Sequence, residues 1–190
     1  MRVAGFAALV LIASCSAATA EQIVSDTFLE FSFREAGVQA RGCDPADPAG
    51  DFCIPSSGTP TDFLPAPPWE FAADAGGATL TVTDAFTSGD RFELFDFGVS
   101  IGLTSAPSSD IDCGDDPAVC LITPGMSTGT FALAAGSHSI TLTPSIAPED
   151  GGAGYLRVTG ATAAVPEPAT LLLLLTGVGF LARAARSRSV

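Results

Sequence analysis

Short runs of alternating apolar and polar residues, separated by glycine, proline, serine and aspartate, most constrain what this chain can fold into. In the run ATLTVTD, residues 78–84, Leu80 and Val82 alternate with three threonines, and HSITLT, residues 138–143, repeats the pattern. Alternation of this kind predicts antiparallel strands with one buried face. We predict eight strands, at residues 27–33, 69–73, 78–84, 91–97, 98–104, 129–135, 138–143 and 155–160.

These strands predict an all-β fold, because no stretch between residues 27 and 160 has sustained helical spacing. The expected architecture is one antiparallel β-sandwich or jelly-roll-like domain. Aromatic residues are expected to supply much of the core, with Trp69 buried and the strand at 91–97 covered on both faces. Two loops rich in proline, glycine and aspartate interrupt the strands, at residues 35–68 and 105–128.

The first 20 residues predict an export signal. Arg2 precedes an apolar run over residues 3–13, and Ala18-Thr19-Ala20 forms an A-x-A cleavage site, so the mature chain is expected to begin at Glu21. The alternative is a lipoprotein box ending at Cys15, which would make this cysteine a lipidated N-terminus. A permanent N-terminal anchor is less favoured, since the apolar run is well below the ~20 residues that a span requires.

Four cysteines follow this signal, and an even number in an exported chain predicts disulfides. Three pairings are open. We expect the two local ones, Cys43–Cys53 and Cys113–Cys120, because each pair brackets a polar loop that a bridge would restrain. A zinc site is the alternative, but structural zinc prefers cysteines two to four residues apart, whereas nine and six residues separate these.

The predicted mature domain is strongly acidic. Residues 21–163 contain 20 aspartates and glutamates against four arginines, a formal charge of −16, and the whole chain has no lysine. Nucleic-acid binding is excluded, because its binders need a basic surface. An acidic surface also disfavours contact with anionic membranes, but it permits calcium or a cationic partner.

Calcium is the strongest indication of chemistry in the sequence. The ion prefers several oxygen ligands from flexible loops, and SSDIDCGDDP places four aspartates within seven residues. The candidate calcium ligands are Asp110, Asp112, Asp115 and Asp116. Their spacing does not match an EF-hand, so a solvated acidic loop without an ion is the alternative.

Catalysis has few residues available to it. The one histidine, His138, is expected to be a hydrogen-bonded structural residue, because its neighbouring serines would point to the opposite face of the strand. The chain has no G-x-S-x-G motif and no phosphate-binding glycine loop. Carboxylates are abundant, so a carboxylate-dependent hydrolase is a remote alternative, although nothing marks a particular pair.

The last 27 residues, 164–190, combine a short motif, an apolar run and an arginine-rich end. As a helix, the 14 residues from Ala169 to Ala182 would extend about 21 Å, short of the ~30 Å hydrocarbon core. Arginines on the cytoplasmic side would place the folded domain outside. Two interpretations are open on these grounds: an ordinary tail anchor, or a temporary anchor that is later removed.

Val165, Pro166, Glu167, Pro168 and Ala169, followed by a leucine run and an arginine-rich end, resemble the PEP-CTERM sorting signal of Gram-negative bacteria. The resemblance implies that exosortase, a membrane protease-transpeptidase, recognises Pro166, Glu167 and Pro168. It also implies that the apolar helix holds the substrate at the inner membrane until processing for the cell surface or the surrounding exopolysaccharide. Together with signal peptidase, exosortase is therefore an expected partner.

The stretches GDRFELFDFGVSIGLTS, LAAGSHSITLTP and GYLRV resemble small secreted β-sandwich modules of the CUB-like and pre-peptidase-like kinds, which mostly bind or stabilise. The predicted organisation is a signal peptide at 1–20, an acidic β-sandwich domain at 21–163 and a transmembrane sorting signal at 164–190. The predicted function is a noncatalytic, exported cell-surface or extracellular-matrix protein without a cofactor. A calcium- or polysaccharide-binding surface module is the alternative.

Overall fold

The computed structural model describes residues 26–108, 110–149 and 151–162. Over this part the chain forms twelve strands and one short helix, α1 (Pro117–Ile122). The strands are β1 (Phe28–Phe33), β2 (Cys43–Asp44), β3 (Asp51–Phe52), β4 (Thr61–Phe63), β5 (Trp69–Ala73), β6 (Ala78–Asp84), β7 (Arg91–Asp96), β8 (Val99–Leu103), β9 (Thr128–Leu133), β10 (Gly136–Ile146), β11 (Gly152–Thr159) and β12 (Ala161–Thr162). The predicted signal peptide, Cys15 and the predicted sorting segment lie outside the described residues.

The strands form two five-stranded sheets. The order in the first sheet is β4-β1-β11-β6-β9, the order in the second is β12-β5-β10-β7-β8, and β2 and β3 form a separate pair. The mostly β class and the eight predicted strands are confirmed. The prediction of entirely antiparallel pairing is wrong at two short ladders, because β1 pairs with β4 and β2 with β3 in parallel. Both pairs involve the 35–68 segment, which crosses over and returns alongside β1 instead of forming a hairpin.

The main core lies between the two sheets. Phe31 and Phe33 of β1 meet Trp69 of β5 and Phe92 of β7, with ring centroids 5.1 to 6.0 Å apart across the sheets. The indole of Trp69 donates a hydrogen bond to the Pro65 carbonyl at 2.9 Å, which satisfies its one polar atom. Full burial of each ring contributes about 1.5–3 kcal/mol, so this aromatic cluster is a large part of what holds the sheets together.

The outer face of the first sheet is also covered. Alternation along β6 predicts that Thr81 and Thr83 face solvent, but both are buried. The 105–128 segment, including α1, folds back over β6 and packs against this face. A second apolar cluster forms there from Phe28, Ala85, Cys113, Cys120, Met126 and Tyr155. The central strands of the first sheet are therefore buried on both sides.

The strand predicted at 91–97 is shorter and more open than expected. It ends at Asp96, and Phe97 and Gly98 form the turn into β8. The Phe97 side chain is 66% exposed, so the expectation of cover on both faces fails at this end of the strand. The reason is the turn itself, which directs residue 97 away from the core.

Candidate functional site

Two disulfide loops cover the outer face of the first sheet. The structure contains both predicted bridges, Cys43–Cys53 and Cys113–Cys120, with Cα atoms 5.6 and 4.9 Å apart. Because both cysteines of each bridge lie in the same loop, each bridge restrains its own loop only. Their mutual position therefore depends on contacts between them.

Asp115 makes a contact that joins the two loops. Its carboxylate accepts hydrogen bonds from the Ser57 backbone N–H at 3.0 Å and from the Ser57 hydroxyl at 2.8 Å. Its carbonyl accepts a bond from the Tyr155 hydroxyl at 2.7 Å, which ties the loop to β11. The two insertions that the sequence presents as separate loops thus form one cap over the sheet.

The other predicted calcium ligands have separate positions in this cap. Asp116 caps α1 by accepting a hydrogen bond from the Ala118 N–H at 3.0 Å, and Asp112 accepts one from the Gly114 N–H at 2.8 Å. Asp110 is exposed, with a φ of 62°. Across the described ranges, no three carboxylate oxygens from Asp110, Asp112, Asp115 and Asp116 lie within 4.8 Å of one another.

A calcium site at these four residues stays a prediction. The structure shows three of the carboxylates bonded to the chain itself, each to a different part of it. These bonds give the aspartates a structural role that the spacing alone did not indicate. A higher melting temperature in millimolar calcium than in chelator would support the ion, and equal melting temperatures would contradict it.

Glu30 lies beneath the cap and is fully buried. Its carboxyl group and the sulfur atoms of Cys43 and Cys53 lie within 4.8 Å of one another, the one such trio of metal-ligand types in the part of the chain described. Because the two sulfurs are bonded to each other, neither is a thiolate that could hold a metal. The trio is therefore a carboxyl group packed on a disulfide.

The Glu30 carboxyl group has no hydrogen-bond partner at either oxygen. Burial raises its pKa to about 7, and the Asp115 carboxylate adds to the rise. The Ile54 backbone N–H opposes this rise. Burial, followed by the charges of Glu30 and its acidic neighbours, also raises the pKa of Tyr155. Glu30 is thus poised to change its charge near neutral pH.

Sequence reasoning missed Glu30. In the run FLEFSF the glutamate alternates with Leu29 and Phe31, which predicts that its side chain faces solvent. Phe28 is the signal that this face is buried, because it is a large apolar residue on the same face of β1 as Glu30. A strand with aromatic residues on both faces indicates cover on both sides.

A second buried carboxyl group, Asp84, lies at the end of β6. It accepts hydrogen bonds from the backbone N–H groups of Ala85 at 3.0 Å and Asp90 at 3.2 Å, so it organises the connection from β6 to β7. Burial, together with the Asp90 carboxylate, raises the pKa of Asp84 to about 8. Burial and Glu149 raise the pKa of Asp90 to about 6.

His138 has the structural role predicted for it. Its Nδ1 lies 2.7 Å from an oxygen of Asp96, and its Nε2 donates to the Ala134 carbonyl at 2.8 Å. The ring also packs against Phe71, with centroids 5.4 Å apart. Both ring nitrogens are engaged, so neither is free to activate a nucleophile.

Comparison with known proteins identifies one segment. Residues 164–189 match the family model of the PEP-CTERM protein-sorting motif, and the match includes Pro166, Glu167 and Pro168. No curated protein and no solved structure matches the chain, so the resemblance of the domain to CUB-like and pre-peptidase-like modules stays a prediction. Within the described residues no helix could span a bilayer, and α1 has only six residues.

Proposed function

We propose that this protein is a noncatalytic module of the cell surface or extracellular matrix. The observation that carries the proposal is the PEP-CTERM motif at residues 164–189, which implies an exported protein that exosortase recognises and sorts at the membrane. The motif marks the chain as a substrate of sorting, and the folded domain is the cargo. The signal peptidase and surface-polysaccharide contacts expected from the sequence belong to the same proposal.

The engagement of the polar groups supports a noncatalytic role. His138 is bonded at both nitrogens, and Asp115 and Asp116 hold the cap in place. Glu30, whose raised pKa would suit acid–base chemistry, lies beneath the cap, out of reach of a substrate. Glu30 therefore lacks the open site that catalysis requires.

The construction of the domain suits an exported module. Two disulfides persist in an oxidising compartment and stiffen the loops that cover the first sheet. Its high acidic charge favours solubility among neighbouring molecules. Hydrolysis of a polysaccharide by the purified domain, lost on changing one Asp or Glu pair, would contradict the noncatalytic role.

Changing Pro166, Glu167 and Pro168 to alanine is expected to leave the protein in the inner-membrane fraction of a host that contains exosortase. The reason is that the recognition motif is removed while the apolar run is kept. The measurement is the distribution of the protein between inner membrane, cell surface and medium. In a host without exosortase, the unchanged protein should show the same retention.

The matched control is a second proline–glutamate pair in the domain. Pro148→Ala with Glu149→Ala changes the same residue types outside the sorting segment, so normal sorting is expected. Equal arrival of the motif variant and the control variant at the surface would contradict the proposed route.

A further inference from the structure

The hairpin between β7 and β8 ends in an exposed apolar tip. Phe97 and Val99 are 66% and 68% exposed. The turn gives Phe97 a φ of 48° and Gly98 a φ of 77°. Glycine, asparagine and aspartate suit such a turn, whereas a bulky residue at positive φ is rare. The fold does not account for phenylalanine at position 97, because the backbone disfavours it and the core gains little from it.

The tip lies at the end of the sheet where β12, the last strand described, begins. Thr162, the last residue described, pairs with Ala72, and Ala72 pairs with Ser137 of β10. The Phe97 N–H donates to the carbonyl of Ser139, two residues along the same strand, at 2.9 Å. Only β5 and β10 separate β12 from β7, so Thr162 and the tip are about 15 Å apart across the sheet.

The sorting segment begins within reach of the same end. The apolar run starts at Ala169, and the six residues 163–168 that precede it can span at most ~20 Å. This reach exceeds the distance of about 15 Å between Thr162 and the tip, so a membrane that holds the apolar run can contact the tip. The short connection acts as a tether, which gives the tip a high effective concentration at the membrane surface.

This end of the domain is also poor in charge. Four strand connections meet there, and Asp74 is their single charged residue. These connections are residues 74–77, 97–98, 134–135 and 160. Asp96, beside the tip, is bonded to His138 at 2.7 Å. Asp26 lies near this end, on the side of the first sheet.

The strongest acidic cluster lies at the opposite end. Asp84, Asp90 and Glu149 are separated from the tip by the length of the strands, roughly 20 Å for the seven residues of β6. This distance exceeds the Debye length of about 8 Å at physiological ionic strength, so their repulsion from anionic lipids is screened at the tip. The acidic charge of the whole domain therefore does not prevent contact at this end.

We propose that Phe97 and Val99 insert into the interfacial region of the membrane that holds the C-terminal segment, as a second contact that turns this end of the domain toward the bilayer. The inference rests on the proposed function, since it requires the sorting segment to anchor the chain. Lipid is the partner that fits, because exposed apolar side chains partition into the interface, the tether brings them to it, and the neighbouring Asp96 is bonded to His138. The contact would last until the anchor is removed.

The test uses the chain with its C-terminal segment intact, in vesicles of phosphatidylethanolamine and phosphatidylglycerol that contain brominated lipid. Phe97→Trp places a fluorescent probe at the tip, while the natural Trp69 is 1% exposed and supplies a constant background. Phe52→Trp is the matched control, since Phe52 is 77% exposed and lies beside Gly152 at the opposite end. We expect brominated lipid to quench emission from position 97 and to leave position 52 unchanged.

Flotation of the vesicles separates the two proposals. Flotation of the chain with quenching at position 97 alone supports the inserted tip. Flotation with no quenching, or with equal quenching at both positions, overturns the inserted tip and leaves the anchoring intact. Failure of the chain to float overturns both. An emission change at position 97 that depends on protein concentration and not on lipid would assign the tip to a second copy, and would also overturn the proposal.

Discussion

The free energy of unfolding of the domain is expected to fall as the pH rises from about 4.5 to 8, the reverse of ordinary acid denaturation. Glu30 is one cause, and Asp84 and Asp90 are the others. In the unfolded chain it loses its proton near its ordinary pKa of 4.5, whereas the folded domain keeps the proton up to about pH 7. Between these values the folded state binds more protons than the unfolded state, so stability decreases with rising pH. The difference between the two pKa values corresponds to about 3 kcal/mol.

Asp84 and Asp90 act in the same direction. Their pKa values are raised by burial and by neighbouring carboxylates, so ionisation of this pair also destabilises the folded domain as the pH rises. Below about pH 4 the slope reverses, because the Arg34 hydrogen bond lowers the pKa of Asp51 and the Thr59 hydrogen bond lowers that of Asp116. Stability is therefore expected to be greatest in mild acid.

Urea unfolding at a series of pH values measures this profile. Glu30→Gln keeps the size of the side chain and removes its titration. In the variant, the fall in the free energy of unfolding between about pH 4.5 and 8 should therefore be about 3 kcal/mol smaller, and at pH 8 the variant should be more stable than the unchanged protein. Glu70→Gln, at an exposed position on β5, is the control and should keep the original slope. A stability that is constant or rises between pH 5 and 8 would contradict the buried, unpartnered state of Glu30.

Replacing Phe31 with alanine is expected to destabilise the domain by about 3–5 kcal/mol, a large part of the stability of a domain of this size. Phe31 is fully buried and contacts Trp69 and Phe92 across the sheets, so its removal leaves a cavity lined by rings that belong to both layers. The expected result is a lower midpoint in urea or a chain that no longer folds cooperatively. Tryptophan fluorescence reports it directly, because Trp69 lies in the same cluster.

Phe52→Ala is the matched control for this substitution. Phe52 is 77% exposed, so the same chemical change should alter stability by less than about 0.5 kcal/mol. Equal effects at positions 31 and 52 would contradict the placement of the core between the two sheets. If Phe31→Ala does not fold, Phe31→Leu supplies a smaller change at the same site and should still cost more than the control.

The strands could be predicted because their signals are local. Alternation in ATLTVTD and HSITLT, and the turn residues between such runs, place β6 and β10 without knowledge of the partner strands. The local disulfides follow from loop composition in the same way. The short strands β2, β3, β4 and β12 were missed, because two or three residues carry no periodicity and depend on the neighbouring strand.

The cap could not be predicted, since it depends on contacts between distant segments. Ser57 and Asp115 are 58 residues apart, and nothing near either one indicates that they bond. The burial of Glu30, Thr81 and Thr83 follows from this cap, so the alternation along β1 and β6 gave the wrong exposure for their outer faces. The same contacts explain why aspartates that resemble calcium ligands in sequence are bonded to the chain.

Unlike the cap, the sorting segment could be predicted from the sequence alone. Pro166, Glu167 and Pro168, the leucine run and the arginine-rich end are recognisable from order and spacing alone, and the match to residues 164–189 confirms this recognition. Such a motif indicates a route and carries no information about the role of the cargo. That role depends on surfaces of the folded domain, and the membrane contact at Phe97 is our proposal for one of them.

Mass spectrometry of both termini of the protein recovered from the cell surface tests the central claim most directly. A temporary anchor that exosortase removes predicts a mature form without the arginine-rich end, residues 183–190, and with an N-terminus at Glu21. A surface form that keeps residues 183–190 would contradict sorting by removal of the anchor.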